Sequence, residues 1–276
     1  MNIAGYSLTV TNENGYSVDL YDDPDFGMTS SSGFGLDAEI NTTSNSPLDG
    51  STYNNSYIPE RSLGFTLQYQ EGKDSELAKL RVHKVFQPRQ KLTIHYISPN
   101  VNSIIYGYVE KCDTPENSHP MTTSISIICP DPFWIRGDKG EVEVELQNGE
   151  CDIFYEGTIP TGFIIDMDIL TSAVKIKVEY EEGSFESDNS ISGGEGWVDP
   201  IKSYAPNSKV VINSITGEKD VLYYEPGSTY GQPRFTTTKI GLLYPQLIPG
   251  NNHIKITSDG TFKAKIRYTE KSGGVF

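Results

Sequence analysis

Three cysteines and four histidines are the residues of this sequence best suited to nucleophilic catalysis or to binding a soft metal ion. The cysteines are odd in number and lack C-x-x-C spacing, and they lie at Cys112, Cys129 and Cys151. The histidines form no H-x-x-x-H or H-E-x-x-H pattern, and they lie at His83, His95, His119 and His253. This spacing excludes a local metal site but leaves open one assembled by the fold. We predict free, buried thiols in a reducing compartment.

A second candidate motif is glycine-rich. Residues Gly33–Ala38 read GFGLDA and match the dinucleotide-binding pattern G-x-G-x-x-A. That motif binds phosphate only where it follows a strand and opens a helix. Here serines precede it and a predicted strand over Phe34–Ile40 follows, so we reject nucleotide binding. The G-x-S-x-G nucleophile elbow is absent, and paired carboxylates cannot be recognised from spacing. We expect no catalytic residues, no cofactor and no enzymatic activity.

Two acidic stretches, Asp22–Asp25 and Glu179–Asp188, could supply oxygen ligands to calcium. Neither has EF-hand spacing, so solvated loops are the favoured interpretation and no metal is assigned. Aromatic side chains in the second half could stack on sugars, although core or interface packing is their commoner role. These are Trp197, Tyr204, Tyr223, Tyr224 and Tyr230.

Charge is distributed unevenly along the chain. The net charge of -15 argues against a nucleic-acid partner. Met1–Glu60 holds nine acidic residues and no lysine or arginine, whereas Arg61–Lys91 holds seven basic and three acidic residues. The two segments could face each other within one fold or meet across copies of the subunit. For the second alternative, the predicted inter-subunit contacts are Arg61, Lys79, Arg81, Lys84, Arg89 and Lys91.

These residues must be positioned by a mainly β chain, because alternating and β-branched runs bounded by turn residues recur throughout. One helix is predicted over Ser75–Phe86, capped by Asp74 or Ser75 and ended by Pro88, with its apolar residues on one face. Predicted strands in the first half cover Ser7–Thr11, Tyr16–Tyr21, Phe34–Ile40, Leu63–Tyr69, Leu92–Ile97, Ile104–Glu110 and Ser124–Ile128.

Two segments organise the chain around these elements. Asn41–Pro59 is polar and too long for an ordinary connection, which predicts a long loop or an extended assembly arm. The proline-rich and aromatic run Cys129–Gly140 marks a boundary. We therefore predict an N-terminal domain over 1–139 and a C-terminal β-sandwich or jelly roll over 140–276. No signal peptide or membrane-spanning stretch is visible, which indicates a chain that stays in the cytoplasm.

Several short sequence segments, taken in order, resemble the distal tail protein (Dit) family of long-tailed phages and prophages of Gram-positive bacteria. They lie at Ile58–Arg61, Lys91–Tyr96, Ile105–Glu110, Cys129–Trp134, Val211–Gly217 and Leu247–Ile254. No single segment is diagnostic, and the resemblance rests on the order of the segments and on the chain length.

The resemblance implies an N-terminal domain with one helix that closes into a hexameric ring, and a galectin-like C-terminal β-sandwich. Such a ring is a structural hub of the virion tail tip. It joins the tail tube protein to the tail-associated fibre or lysin protein and can anchor receptor-binding proteins. A cell-wall carbohydrate-binding module acting through the C-terminal sandwich is the alternative function, because a galectin-like fold does not by itself transfer sugar binding.

Overall fold

The computed structural model describes residues 5–44, 49–70, 74–116, 119–173, 176–181, 194–198, 203–233, 236–240 and 245–275. The mainly β fold predicted from the sequence is confirmed. The chain divides into two compact units: unit 1 comprises Met1–Asp138 with Ser272–Phe276, and unit 2 comprises Lys139–Lys271. The grouping of the last five residues with the first unit was not predicted from the sequence pattern.

The strands and the helix of unit 1 follow one another closely along the chain. They are β1 Ser7–Asn12, β2 Ser17–Asp19, β3 Phe26–Ser32, β4 Glu39–Ser44, β5 Ser51–Tyr57, β6 Arg61–Tyr69, α1 Ser75–Val85, β7 Lys91–Ser98, β8 Val101–Asp113, β9 Thr122–Cys129 and β10 Trp134–Arg136. The strands of unit 2 are β11 Glu141–Glu145, β12 Glu150–Tyr155, β13 Thr161–Ile169, β14 Ile176–Glu181, β15 Gly194–Val198, β16 Ser208–Asn213, β17 Asp220–Tyr224, β18 Gly231–Pro233, β19 Thr236–Ile240, β20 Gln246–Leu247, β21 Gly250–Ser258 and β22 Phe262–Thr269. A final strand, β23, covers Lys271–Ser272.

Unit 1 is built on a nine-stranded sheet with the main order β2-β1-β7-β8-β9-β6-β3, in which β10 pairs with β8 and β23. The strands on this path are antiparallel to their neighbours. Alternation along β6 buries Leu63, Phe65 and Leu67 on one face. Together with the apolar residues of β1, β7 and β9 they form the core of the unit.

Helix α1 has the position and the cap that the sequence predicts. The Asp74 side chain accepts a hydrogen bond from the backbone N–H of Leu77 at 3.1 Å. Ala78, Val82, Val85 and Phe86 are buried, as expected for one apolar face. In the described part of the chain, no helix has the length and apolar character needed to cross a membrane.

The strand predicted over Phe34–Ile40 is wrong. The chain instead forms β3 over Phe26–Ser32 and β4 over Glu39–Ser44, and Phe34 lies in the connection between them. The ring of Phe34 stacks on Trp134 with centroids 5.7 Å apart and meets Phe65 edge to face. The alternating apolar residues of Phe34–Ile40 thus belong largely to a connection that packs on the core. The strand at this edge of the sheet is β3, which is rich in exposed serine.

Unit 2 is a β-sandwich of two antiparallel sheets that share one apolar core. The larger sheet has the order β11-β22-β13-β16-β17-β18, with β20 on β13, and the smaller sheet has the order β12-β21-β14-β15-β19. Phe163 and Met167 of β13 and Ile254 and Ile256 of β21 are buried in the same cluster. This arrangement is the layered packing expected from the alternating runs of the sequence.

Candidate functional site

An exposed β-hairpin is the most distinctive feature of unit 1. Among the described strands, β4 and β5 pair with each other alone as a separate two-stranded sheet, and every residue of both strands is exposed. We call Glu39–Ser44 and Ser51–Tyr57 the arm. The sequence predicted a long loop or an arm over Asn41–Pro59, and the described residues form a hairpin.

The arm combines polar cross-strand bonds with large apolar side chains that are exposed among the described residues. The Asn41 amide donates to the Asn55 side-chain oxygen at 2.7 Å, and the Tyr57 hydroxyl donates to Glu39. Ile40, Tyr53 and Tyr57 are nevertheless exposed in the chain. A two-stranded hairpin is marginally stable by itself in water. The arm therefore has the composition of a segment that packs on another surface.

Arg61 fixes the base of the arm. Its Nε donates to the Pro132 carbonyl at 2.6 Å, Nη1 to the carbonyls of Gly33 and Phe34 at 3.0 and 2.8 Å, and Nη2 to the Gly273 carbonyl at 2.6 Å. The residue is only 5% exposed. Burial lowers the pKa of the guanidinium, although it stays protonated at neutral pH. Arg61 thus donates to four carbonyls within its own unit, and its role as an inter-subunit contact stays a prediction.

The glycine-rich motif lies beside this arginine and serves the backbone. Gly33 has a φ of +85°, and a Cβ there would lie 2.0 Å from the Ser62 carbonyl oxygen. No helix follows the motif, which is succeeded by β4. Gly33, Asp37, Pro59 and Arg61 contribute to a pocket of about 200 Å³ at the base of the arm. Gly33 therefore allows the backbone of the motif to lie close to the backbone at Ser62. The motif does not open a helix, so it lacks the helix N-terminus that binds phosphate in dinucleotide-binding folds.

Of the other basic residues predicted as inter-subunit contacts, some pair with carboxylates within unit 1 and others lie at its surface. Arg81 pairs with Asp23 at 2.5 Å and with Asp25 at 3.1 Å, so at this residue the acidic and basic segments meet within one fold. Asp23 and Asp25 belong to the first acidic stretch, whose carboxylates were considered as calcium ligands. In the structure these two carboxylates pair with the Arg81 guanidinium. Lys79 is half-buried on α1, while Arg89 is exposed in the turn after it.

Two lysines of this set lie over exposed tyrosines. The Lys84 ammonium is 3.7 Å from the centroid of the Tyr16 ring, and Lys91 is 5.3 Å from that of Tyr106. On α1, Lys84 continues a stripe that begins with Leu77 and Leu80, which are 63% and 64% exposed. We call Tyr16, Leu77, Leu80 and Lys84 the helix face. This surface was not predicted from the sequence, although Leu77 and Leu80 lie off the predicted buried side of α1 and could have indicated it.

The fold brings one histidine to one cysteine. The Cys112 sulfur lies 3.7 Å from His83 Nδ1, and His83 Nε2 lies 3.0 Å from the Thr114 hydroxyl. Burial raises the pKa of the Cys112 thiol to about 11, and burial together with Lys79 lowers the pKa of His83. Both groups are therefore neutral at pH 7. This is the opposite of the thiolate–imidazolium pair that a cysteine nucleophile requires.

The other cysteines and histidines do not join this pair. All three thiols are free, and burial raises the pKa of Cys129 to about 12 and that of Cys151 to about 11. His95 lies 2.7 Å from the Asn102 side-chain oxygen, and His253 lies 2.7 Å from an Asp152 carboxylate oxygen. Within the described ranges, no group of three His, Cys, Asp or Glu side chains is placed to hold a metal ion.

The aromatic residues considered for sugar stacking are dispersed. Tyr204 and Tyr223 are buried in the core of unit 2, where their rings meet edge to face at 5.5 Å. Tyr224 is half-buried and Tyr230 is exposed. The side chain of Trp197 and residues 182–188 of the second acidic stretch lie outside what the structure describes. The described tyrosines therefore form no common stacking surface.

No protein-family model matches the sequence, and no curated protein matches it significantly. The fold does match solved structures. The SPP1 Dit protein, a hub of the adsorption apparatus in phages that infect Gram-positive bacteria, aligns over 96% of this chain and 98% of its own. The TM-score is 0.64 and the identity 16%. Chains of the phage P2 baseplate in its activated conformation, with calcium or strontium, cover 98% and 95% of this chain and 99% and 97% of their own. Their TM-scores are 0.46 and 0.45, each at 9% identity. The chain shares the fold of SPP1 Dit, in agreement with the resemblance seen in the sequence.

Proposed function

We propose that this chain is a non-catalytic structural hub of a bacteriophage tail tip. The observation that carries the proposal is the shared fold with SPP1 Dit, which covers both units and nearly the full length of both chains. A fold by itself does not fix a function. The ordered sequence phrases from Ile58 to Ile254 point independently to the same family, and that agreement supports the transfer of the hub role.

The hub assembles as a ring of six copies, as in the family that the sequence resembles. Unit 1, which corresponds to the N-terminal domain predicted over 1–139, forms this ring. The arm supports the assignment, because its exposed Ile40, Tyr53 and Tyr57 gain burial only on another surface. Unit 2 corresponds to the galectin-like domain predicted over 140–276.

The partners of this hub are the tail tube protein and the tail-associated fibre or lysin protein, with receptor-binding proteins as further ligands. The ring is assembled in the host cytoplasm and remains in the virion tail tip. Carbohydrate binding by unit 2 is the weaker alternative, because the described tyrosines that could stack on sugars are buried or dispersed. Glycan binding by the purified chain in the absence of ring formation would reverse that order.

Light scattering after size-exclusion chromatography tests the assembly. We expect the full chain to elute with a mass six times that of one chain. Ion pairs near the surface are screened by salt, so the assembled fraction should fall between low salt and about 1 M. Co-expression with the tail tube protein covers the case in which the ring forms only on its partner. A monomer under both conditions would contradict the proposal.

A further inference from the structure

Strand β12, Glu150–Tyr155, is the first strand of the smaller sheet of unit 2 and has one open side. Among the described strands it pairs with β21 alone. We infer that this open side binds an extended, basic segment of a partner protein as an added antiparallel strand. The inference concerns unit 2 and does not depend on the ring that unit 1 is proposed to form.

The hydrogen bonds between β12 and β21 show which backbone groups face the open side. The Ile256 N–H of β21 donates to the Gly149 carbonyl, just before β12, at 2.7 Å. Hydrogen-bonded pairs alternate along an antiparallel ladder, so every second residue from Gly149 onward bonds toward β21. The N–H and C=O groups of Glu150, Asp152 and Phe154 therefore point away from β21.

Two of these three residues have backbone groups left for a further strand. Glu150 exchanges hydrogen bonds of 3.0 and 3.1 Å with Gln147 across the turn that precedes β12. In the part of the chain that the structure describes, Asp152 and Phe154 have no such backbone partner on the open side. They offer donors and acceptors at the spacing that an antiparallel strand requires.

The side chains of β12 leave this edge unprotected. Phe154 is 64% exposed, and the Asp152 side chain is 89% exposed. Edge strands that avoid pairing are typically short or carry proline or lysine. Strand β18, at one end of the larger sheet, has three residues and ends in Pro233. Strand β12 has six residues with neither proline nor lysine, so it has the features of a strand-binding edge.

Charge identifies the kind of partner. From Glu141 to Glu156 the chain carries six carboxylates and no lysine or arginine. Among the described residues, Glu145 and Asp152 have no lysine or arginine as an ion-pair partner. Two copies joined through their own β12 edges would bring these like charges together, which disfavours pairing of β12 with itself. A basic segment has the complementary charge.

The register defines the side chains of the added strand. Its residues opposite Phe154 and Asp152 are two positions apart, and their side chains lie on the same face as those two residues. An aliphatic residue opposite Phe154 and a basic residue opposite Asp152 suit both contacts, with a β-branched residue between them. In an antiparallel strand the aliphatic residue comes first along the chain.

A short peptide with both ends blocked, valine-threonine-lysine-threonine-lysine, tests the binding to the full chain. We expect amide exchange, followed by NMR, to slow at Asp152 and Phe154 and to change little at Ile153, whose N–H already bonds to β21. The matched control is the same peptide N-methylated at the valine and the first lysine. It keeps the charge and side chains but cannot donate to β12, so its affinity should be at least about tenfold lower.

Variants of the chain locate the site. Phe154→Pro removes an N–H that faces away from β21 and should lower the peptide affinity at least about tenfold while the sheet stays folded. Asp152→Lys tests the edge through charge and should also weaken binding. Asp168→Lys makes the same charge change at an exposed position on β13 and should leave the affinity nearly unchanged. Circular dichroism confirms that each variant is folded.

Three results would overturn the inference. The first is a peptide that does not bind at millimolar concentration, and the second is equal affinity of the parent and N-methylated peptides. The third is protection of the Asp152 and Phe154 amides in the free chain, at any protein concentration, because the chain itself or a second copy would then cover this edge. None of these results would bear on the ring, which is tested by its own mass.

Discussion

The variant Arg61→Met should lower the free energy of unfolding of unit 1 by at least about 3 kcal/mol. Methionine keeps an apolar stem of similar length but removes every donor, so the carbonyls of Gly33, Phe34, Pro132 and Gly273 lose their bonds to the guanidinium. A hydrogen bond to a charged group contributes about 1.5 to 3 kcal/mol, and buried acceptors left without a donor add a further cost.

Trp134 offers a local probe for this measurement, because its buried ring centroid lies 6.0 Å from the Arg61 guanidinium carbon. In a Trp197→Phe background it is the only tryptophan of the chain, and urea unfolding can be followed by its fluorescence at one protein concentration. Arg61→Lys should be intermediate, since an ammonium lacks the planar fork that reaches four carbonyls. Lys111→Met, at an exposed lysine, should change stability by less than about 0.5 kcal/mol. Equal stability of Arg61→Met and wild type would contradict the anchoring role.

The variant Asp166→Asn should lower the stability of unit 2 by about 2 kcal/mol at neutral pH. The Asp166 carboxylate is buried on β13, where it accepts from Arg267 Nε at 2.6 Å and pairs with Lys209 at 2.7 Å. Arg267 also reaches Glu141 on β11 at 3.2 Å, so the carboxylate belongs to a network across the larger sheet. Because both cations are partly exposed, the loss is smaller than for a fully buried pair.

Lowering the pH should remove the stabilisation that the Asp166 carboxylate gives to unit 2. Burial by itself would raise the pKa of Asp166, but the hydrogen bonds and charges of Lys209 and Arg267 outweigh it, and the pKa is lowered. A carboxyl with a lowered pKa stabilises the fold above its unfolded pKa of about 3.9, and this stabilisation is lost as the pH falls through the folded value. The difference between wild type and Asp166→Asn should therefore be constant from about pH 5 to 7 and narrow below about pH 4.

Hydrogen exchange at the amides of β13 measures this difference within unit 2. At each pH the variant and the wild type are compared directly, and about 2 kcal/mol corresponds to exchange roughly thirtyfold faster in Asp166→Asn at neutral pH. Asp168→Asn is the control, because Asp168 is exposed on the same strand, and it should leave exchange nearly unchanged. A difference that persists at full size below pH 3 would show that the charge of Asp166 is not its cause.

Local patterns in the sequence predicted those elements whose side chains alternate between water and core. The strands over Leu63–Tyr69 and Leu92–Ile97 and the capped helix at Ser75 belong to this class, because period and capping are properties of neighbouring residues. The predicted strand over Phe34–Ile40 failed because Phe34 is buried by residues distant in sequence, among them Trp134. Periodicity cannot distinguish a loop packed on a core from a strand.

The candidate site was predicted only in part for the same reason. The unusual length and polarity of Asn41–Pro59 pointed to an arm, and the basic composition after Glu60 pointed to a contact surface. Composition could not show that Arg61 turns inward to four carbonyls, or that Arg81 meets Asp23 within its own unit. These outcomes depend on contacts between segments separated by tens of residues, which only the fold brings together.

Negative-stain electron microscopy of the purified full chain tests the hub assignment most directly. A tail-tip hub built from this fold should appear as ring-shaped particles with a central opening and six-fold averages, formed by the chain alone or when co-expressed with the tail tube protein. Compact single-chain particles under both conditions, at concentrations where the light-scattering mass is that of a monomer, would contradict the account.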